Sequence, residues 1–336
     1  MKRIFSGSFL LIGFLFLIAV LYAVRFIYTP TSPGKPLQVD IRAGQSGWQI
    51  SKTLEKEHII TDAGMFMLTS RILGKSRHLQ AGTYVFEGNH YPLEVMDILF
   101  RGKTLKYRIT IPEGSNIYQI GEIVASTGLM DKEHFVRAAF SGQTTAFFHV
   151  DAPSMEGFLY PDTYFLTPRM TPLEIMAKLH DRFKHIYTGK IEQRAGEMGL
   201  SRIQVLTLAS IIEKEAVSPS DKPLISSVFF NRLARGMRLQ SDPTAVYGID
   251  GFKGKIDPDD LQRESPYNTY RHNGLPPGPI CNPGSDSIKA ALWPARTDYL
   301  YFVSRGDGTH AFSNSLIEHN RAISENARQR KKQPAL

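Results

Sequence analysis

The chain opens on an apolar run. From Ile4 to Val24 there are 21 residues without a charge, and only Ser6, Gly7, Ser8 and Gly13 interrupt the large side chains. A run of that length spans a bilayer. Beyond it the pattern changes to short alternating stretches and helical spacings. Leu37 to Arg42 alternates as a strand, a Gly turn follows, and Ile50 and Leu54 then recur at helical spacing. Trp48 falls in the same spacing and is expected in the core, with stacking on a sugar face as the other reading. Gly82 to Phe86 predicts a second strand, and a helix starts near Pro92, whose fixed φ and missing N–H suit a first helical turn.

The same succession of patterns returns. At an offset of 70, Ile41, Gly44, Trp48, Gln49, Ile50 and Leu54 match Ile111, Gly114, Tyr118, Gln119, Ile120 and Val124. At an offset of 80, Thr83-Tyr84 matches Thr163-Tyr164, and Pro92 to Met96 matches Pro172 to Met176. Two matches in the same order imply a repeated β-α-(α)-β-α unit. The change of offset places a ten-residue insertion in the second copy, between about Gly128 and Glu156, and that copy carries the segment EGFLYPDTYFL.

In the second half, Ser201 to Gln204 reads as a capping box, and Val205, Leu206, Leu208, Ala209 and Ile212 support a helix running to about Ala216. Glu213 and Glu215 lie in its last turn. Two residues apart on a helix is a rotation of about 200°, so the two carboxylates face different ways. Either both are ordinary solvent-facing helix charges, or one faces a cleft while the other is solvated or sits on a lysine or arginine; spacing does not choose between them. A carboxylate at a helix C-terminus meets an unfavourable dipole, which raises its pKa and suits a general acid. A second amphipathic helix carries Leu224, Ile225, Val228, Phe229 and Leu233 inward, ends at Gly236, and brings Asn231 and Arg232 toward the first. Arg232 either touches substrate or pairs with Asp242 or Glu213.

The loop Gln240-Ser-Asp-Pro-Thr244 presents polar side chains on a backbone stiffened by Pro243, ahead of a short helix containing Tyr247. Such a loop suits a hydrogen-bonding sugar site, with helix capping as the other reading of Asp242. From Ser265 to Gly284, SPYNTYRHNGLPPGPICNPG combines tyrosines and amides with a rigid Pro-Pro turn. Tyr267 and Tyr270 suit stacking on pyranose rings, and Asn268 and Thr269 suit hydroxyl recognition; a packed covering loop is the alternative. Tyr299 to Val303 and His310 to Phe312 flank Arg-Gly-Asp-Gly as a β-hairpin, with a helix from about Ser315, which completes an α+β fold.

Composition narrows the chemistry. One cysteine, Cys281, in 336 residues excludes an intrachain disulfide, so packed cores must hold the fold. At 42% hydrophobic residues the chain is not disordered. No HExxH, paired CxxC, P-loop or GxGxxG occurs and the ten histidines show no ligand spacing, so neither metal nor cofactor is expected, and His310 reads as a surface residue of a strand. The net charge of +8 fits nucleic acid, anionic lipid or an acidic polymer equally, and part of it is a solvated helix tail at Arg328, Arg330, Lys331 and Lys332. Lys2, Arg3 and the terminal amine outweigh Arg25, so the positive-inside bias places the N-terminus in the cytoplasm and the body outside, which argues against nucleic acid. A cleaved signal peptide is the competing reading, with only Leu-Tyr-Ala as a small-x-small approximation before Val24.

The segments LASIIEKEA, VFFNRL, GMRLQSDPT, YNTY, GLPPGPICNPG and HAFSNS, in this order, resemble the YceG-like, or MltG-like, endolytic murein transglycosylases. The resemblance covers nearly the whole chain, and the layout of the first module is similar to LysM, where carbohydrate binding and a plain spacer are both open. It implies a division into a cytoplasmic stub (1–3), a transmembrane anchor (4–24), a linker (25–36), a LysM-like module (37–104) and an α+β catalytic domain (105–336). That domain comprises the second repeat copy (105–184) and a catalytic core (185–336). It further implies that Glu215 is the catalytic acid and base, and that the MurNAc-β-1,4-GlcNAc bond of peptidoglycan is cleaved with a 1,6-anhydro end. Tyr160, Asp162, Asn231, Gln240, Ser241, Asp242, Tyr267, Asn268 and Thr269 are the expected substrate-binding residues. One carboxylate serves both proton transfers in such a reaction, so no second facing acid is needed. Penicillin-binding synthases are the implied partners, at the periplasmic face of the inner membrane, with strand termination as the role. A hydrolytic muramidase and a non-catalytic wall-binding scaffold are the alternatives.

Overall fold

A computed structural model describes residues 2–249, 252 and 254–332, with side chains described from residue 11 to 328. The chain divides into two compact units, Met1–Tyr107 and Arg108–Leu336.

In the first unit, helix α1 (Lys2–Tyr28) contains an 18-residue window, Leu11–Tyr28, of mean hydropathy 2.3. The helix does not stop at Val24. It continues four residues further, and Phe26 enters the unit's core beside Val39, Leu54, Phe66 and Phe86. Residues 25–36, expected as a linker, are therefore helical to Tyr28 and paired again where Thr31 bridges His90. Strand β1 (Leu37–Ile41) pairs antiparallel with β2 (Gly82–Phe86), in register from Leu37 opposite Phe86 to Ile41 opposite Gly82. Helices α2 (Gly47–Lys56) and α3 (Ala63–Ile72) connect them, and α4 (Pro92–Phe100) follows with Pro92 in its first turn. Ser46 and Gln49 cap α2 reciprocally, satisfying two N–H groups that the helix itself leaves open.

Trp48 departs from its expected core position: it is 48% exposed, with the Lys52 ammonium 5.2 Å from its ring centre. The reason is the one that separates Glu213 from Glu215. Ile50 and Leu54 are one turn apart and face inward, whereas Trp48 is two residues from Ile50 and so points away from the core.

The second unit begins with β3 (Tyr107–Thr110), paired with β4 (Thr163–Leu166). Between them run α5 (Ile117–Ala125), α6 (Lys132–Ala139) and α7 (Gly142–Phe147), and α8 (Pro172–Ile186) follows β4. The local devices match those of the first unit. Asn116 and Gln119 form a capping box like that of Ser46 and Gln49, and Pro172, like Pro92, starts its helix. The Tyr164 hydroxyl donates to the Tyr160 carbonyl as the Tyr84 hydroxyl donates to that of Gln80. Helix α7 has no counterpart in the first unit.

The remaining α-helices and strands among the described residues are α9 (Gly189–Glu197), α10 (Arg202–Glu215), α11 (Lys222–Ala234), α12 (Asp242–Val246), α13 (Ser285–Leu292), β5 (Tyr301–Ser304), β6 (His310–Ser313) and α14 (Leu316–Lys332), with a long, mostly irregular segment between α12 and α13. The side chains of Arg330, Lys331 and Lys332 lie outside the described residues. Helix α10 carries the capping box of Ser201 and Gln204, and every residue from Val205 to Ile212 is buried, because α9, α11, α12 and α13 surround it. The architecture is a mixed α+β fold, with small two-stranded sheets among many helices.

Candidate active site

The segments packed on the central helix α10 decide where its last turn points. The Ser210 hydroxyl accepts from the Ile280 N–H at 3.0 Å, and the Cys281 thiol donates to the Ser210 carbonyl at 3.3 Å. Next to them Asn282, fully buried, accepts at Oδ1 from the Gly157 and Leu159 N–H groups, both at 2.9 Å. Its Nδ2 donates to the Ser115 carbonyl and to the Glu156 carboxyl. Glu156 also accepts from the Ile117 N–H and the Tyr247 hydroxyl, both at 3.0 Å. Burial nevertheless raises its pKa to about 8, against the opposing pull of these donors. Asn282 and Glu156 thus lock the EGFLYPD segment and the N-terminus of α5 to the loop that covers α10. Sequence reasoning assigned neither a role; the insertion that ends near Glu156 was the available signal.

The two acids of the last turn face different ways. Glu213 sits on Lys222, whose Nζ lies 3.2 Å from Oε1, with both side chains less than 10% exposed. Its other oxygen accepts from the Gly284 N–H at 2.9 Å and the Ser287 hydroxyl at 2.7 Å. Both oxygens are engaged, and the Glu213 side chain is held in a buried ion pair away from the cleft. Glu215 lines an open cleft of about 400 Å³ together with Arg232, Gln240, Asp242, Tyr270 and the hairpin residue His310.

Glu215 accepts a 2.5 Å hydrogen bond from the Ser241 hydroxyl. Its pKa is raised to about 7, first by desolvation and then by the Asp242 charge, while the Ser241 bond and the Arg232 charge pull the other way. The carboxyl is therefore protonated below about pH 7 and ionised above it, the balance needed by a group that gives a proton and takes one back. Ser241 favours the ionised form, so Ser241→Ala is expected to move the alkaline limb of kcat/KM upward from about pH 7 by roughly one unit. A limb that stays in place in the pH profile would mean that Glu215 is not the titrating acid.

The loop holding Ser241 is stiff. Gln240 adopts φ +49°, a left-handed conformation uncommon for a side chain other than glycine, and its N–H donates to the Thr269 carbonyl. The Ser241 N–H donates to Thr269 Oγ1, which also meets Thr244 Oγ1 at 2.8 Å. Asp242 does not cap α12 but is its first residue, and its Oδ1 accepts from the Tyr270 hydroxyl at 2.5 Å. A second carboxylate, that of the expected site residue Asp242, therefore shares the cleft with Glu215.

The other expected residues are placed differently. Thr269 is buried behind Ser241 and shapes the loop. Asn268 is fully buried, its Nδ2 donating to the Leu261 and Arg263 carbonyls. Asn231 donates to the Thr297 and Tyr299 carbonyls and pins the approach to β5. Tyr267 packs on Tyr247, ring centres 4.6 Å apart. Tyr160 and Asp162 meet Arg182, which bonds the Asp162 carboxylate at 2.7 Å and lies 6.0 Å from the Tyr160 ring centre. None of these six lines the Glu215 cleft. Arg232 pairs with neither Asp242 nor Glu213; it donates to the Leu300 and Leu239 carbonyls and lies over the Tyr301 ring.

His310 corrects the expectation of a surface residue. It is 8% exposed, and its backbone N–H and Nδ1 both meet Asp221 Oδ2, at 2.8 and 2.9 Å. Asp221 lies 89 positions away, so no local pattern could have paired them. Among the described residues no group of three or more His, Cys, Asp or Glu side chains is placed to hold a metal.

A desolvated carboxyl at a helix end, set in an open polar cleft of an α+β fold, is equipped to give and take a proton. The model of the YceG-like family matches residues 39–325, and the chain belongs to that family. It is 34% identical over 303 residues to the endolytic murein transglycosylase of Bacillus subtilis (strain 168), covering 85% of this chain and 83% of that one. The protein of the same name from Streptococcus pneumoniae (strain ATCC BAA-255 / R6) is 28% identical over 326 residues; the match covers 87% of this chain and 58% of the pneumococcal one. The crystal structure of a yceG-like protein from Listeria monocytogenes aligns with a TM-score of 0.60 at 34% identity, covering 85% of this chain and 98% of that one.

Proposed function

We propose that the chain is an endolytic murein transglycosylase that cleaves the MurNAc-β-1,4-GlcNAc bond of peptidoglycan strands and leaves a 1,6-anhydro end. The observation that carries this reading is Glu215, whose pKa near 7 lets one group act in turn as acid and base. The relatives' names and the family match support the same assignment. Glu215 protonates the glycosidic oxygen as the C1–O4 bond breaks. Positive charge gathers at C1, and the ionised carboxyl then takes the proton of the C6 hydroxyl as its oxygen bonds C1. Glu215 ends protonated, and no water is consumed. Gln240 and Asp242 border the reacting sugar, Ser241 stands buried behind Glu215 as its hydrogen-bond donor, and Asn231, Tyr267, Asn268 and Thr269 brace the surrounding structure.

Helix α1 serves as a single-pass anchor in the cytoplasmic membrane, with the residues that follow it on the periplasmic side. The elements from 37 to 104 form a LysM-like module and those from 105 to 184 its second copy, on the basis of the shared element order, capping boxes and Pro-started helices. Work beside penicillin-binding synthases, terminating nascent strands, follows from the family assignment.

Asp242 favours a second reading. A carboxylate beside the acid could activate water, and the enzyme would then be a muramidase. Mass spectrometry of products from purified full-length protein acting on peptidoglycan separates the readings. Ends lighter by one water are the expected anhydro product; reducing muramic ends identify the hydrolase; and binding to sacculi without release identifies a scaffold.

A further inference from the structure

Helix α1 enters the first unit without a free tether. Arg25, the first charge after the apolar run, is exposed, and Phe26 beside it is 3% exposed in the unit's core. One turn nearer the bilayer, the Tyr22 hydroxyl donates to Asp62 at 2.7 Å. Asp62 is the N-cap of α3 and accepts from the Met65 N–H through its other oxygen. On the far side of Phe26, the Thr31 hydroxyl bonds the Ile59 carbonyl. Residues 59–62 thus run alongside the outer end of α1, and the start of α3 is held level with the last turns of the span.

Helix α3 is apolar on both sides. Ala63, Phe66 and Ser70 face the core. Away from it, Leu68 is 51% exposed and Ile72, one turn on, 75%, and Leu73 just past the helix end is 50% exposed. Arg71 and Arg77 are exposed beside them. A row of large apolar side chains with cations near it in sequence, on a short helix whose N-cap bonds the outer end of the span, has the composition of a helix lying in a membrane interface.

We propose that α3 lies in the surface of the bilayer that α1 crosses, with Leu68, Ile72 and Leu73 at the boundary of headgroups and acyl chains and Arg71 and Arg77 against anionic headgroups. The inference rests on α1 being a retained anchor. It makes the first unit a fixed platform on the membrane rather than a body swinging on a linker.

The test uses the full chain reconstituted in vesicles of phosphatidylethanolamine and phosphatidylglycerol. Leu17→Cys, Leu68→Cys, Ile72→Cys and Val85→Cys are labelled singly with an environment-sensitive fluorophore; the native Cys281 is fully buried, and Val85 is an exposed position on β2. Nitroxide-bearing lipids are expected to quench labels at 68 and 72 about two-fold or more beyond the label at 85, and to quench the label at 17 strongly. Equal quenching at 68, 72 and 85 with Leu17→Cys still quenched would overturn the proposal and leave the anchor standing. An unquenched label at 17 would remove the anchor and this inference with it.

Discussion

Glu215→Gln is expected to lower the release of anhydro products by about 1,000-fold, because it removes the one group proposed to move a proton at both steps. The amide keeps the shape and still accepts from Ser241, so glycan binding should change little. Stability should rise. Glu215 has its pKa raised from 4.5 to about 7, so the folded chain binds more protons than the unfolded one between those values, and wild-type stability falls as pH climbs through that window. Above pH 7 the variant escapes a penalty on the order of 2–3 kcal/mol, while near pH 4 the two should unfold alike. Glu213→Gln is the opposite case. Turnover should stay within a few-fold of wild type, but Lys222 is left buried without its counter-charge at a cost of about 3 kcal/mol. Single-turnover product analysis alongside thermal unfolding reads all of this. Comparable loss of chemistry in both variants would defeat the assignment of Glu215.

Asn282→Ala is expected to be the most damaging change away from the cleft. It strips the partner from two buried N–H groups, those of Gly157 and Leu159, and removes one of the donors to the Glu156 carboxyl. Unsatisfied buried groups cost about 1–3 kcal/mol each, so a loss of about 4 kcal/mol is reasonable. For a unit of this size that lowers the unfolding midpoint by about 10 °C. The Glu156 pKa, already about 8, should climb further as a donor to its charged form disappears. Circular dichroism melts measure the first effect. A midpoint within about 2 °C of wild type would show that water or a backbone shift replaces the amide.

Much of the local structure was legible because its causes are local. The capping box at Ser201 and Gln204, the glycine at 236 in a left-handed conformation after α11, and Pro92 and Pro172 at helix starts are all satisfied within a few residues of themselves. The offsets of 70 and 80 likewise fall on elements of the same kind and the same capping chemistry. Trp48 was misjudged because two residues of separation on a helix reverse the face, and only the packed neighbours say which face is inner. His310 was misjudged because its partner, Asp221, comes from a distant turn.

The candidate site divides along the same line. That Glu213 and Glu215 must point apart follows from helix geometry, and that an acid at a helix end suits proton transfer follows from the dipole. Which acid is the structural ion depends on Lys222, Gly284 and Ser287, and which lines the cleft depends on Ser241 and the β5–β6 hairpin. The sequence by itself determined the apolar span, many of the helices and strands though not α7, α9 or α13, the repeat of pattern and the pair of acids, since each arises from periodicity and short-range hydrogen bonding. Only the tertiary structure decided that Glu215 is desolvated, that Asp242 shares its cleft, and that Asn268, Thr269 and Asn231 brace loops instead of lining it. Desolvation and side-chain pairing depend on segments far apart in the chain, and those meet only when the core has formed.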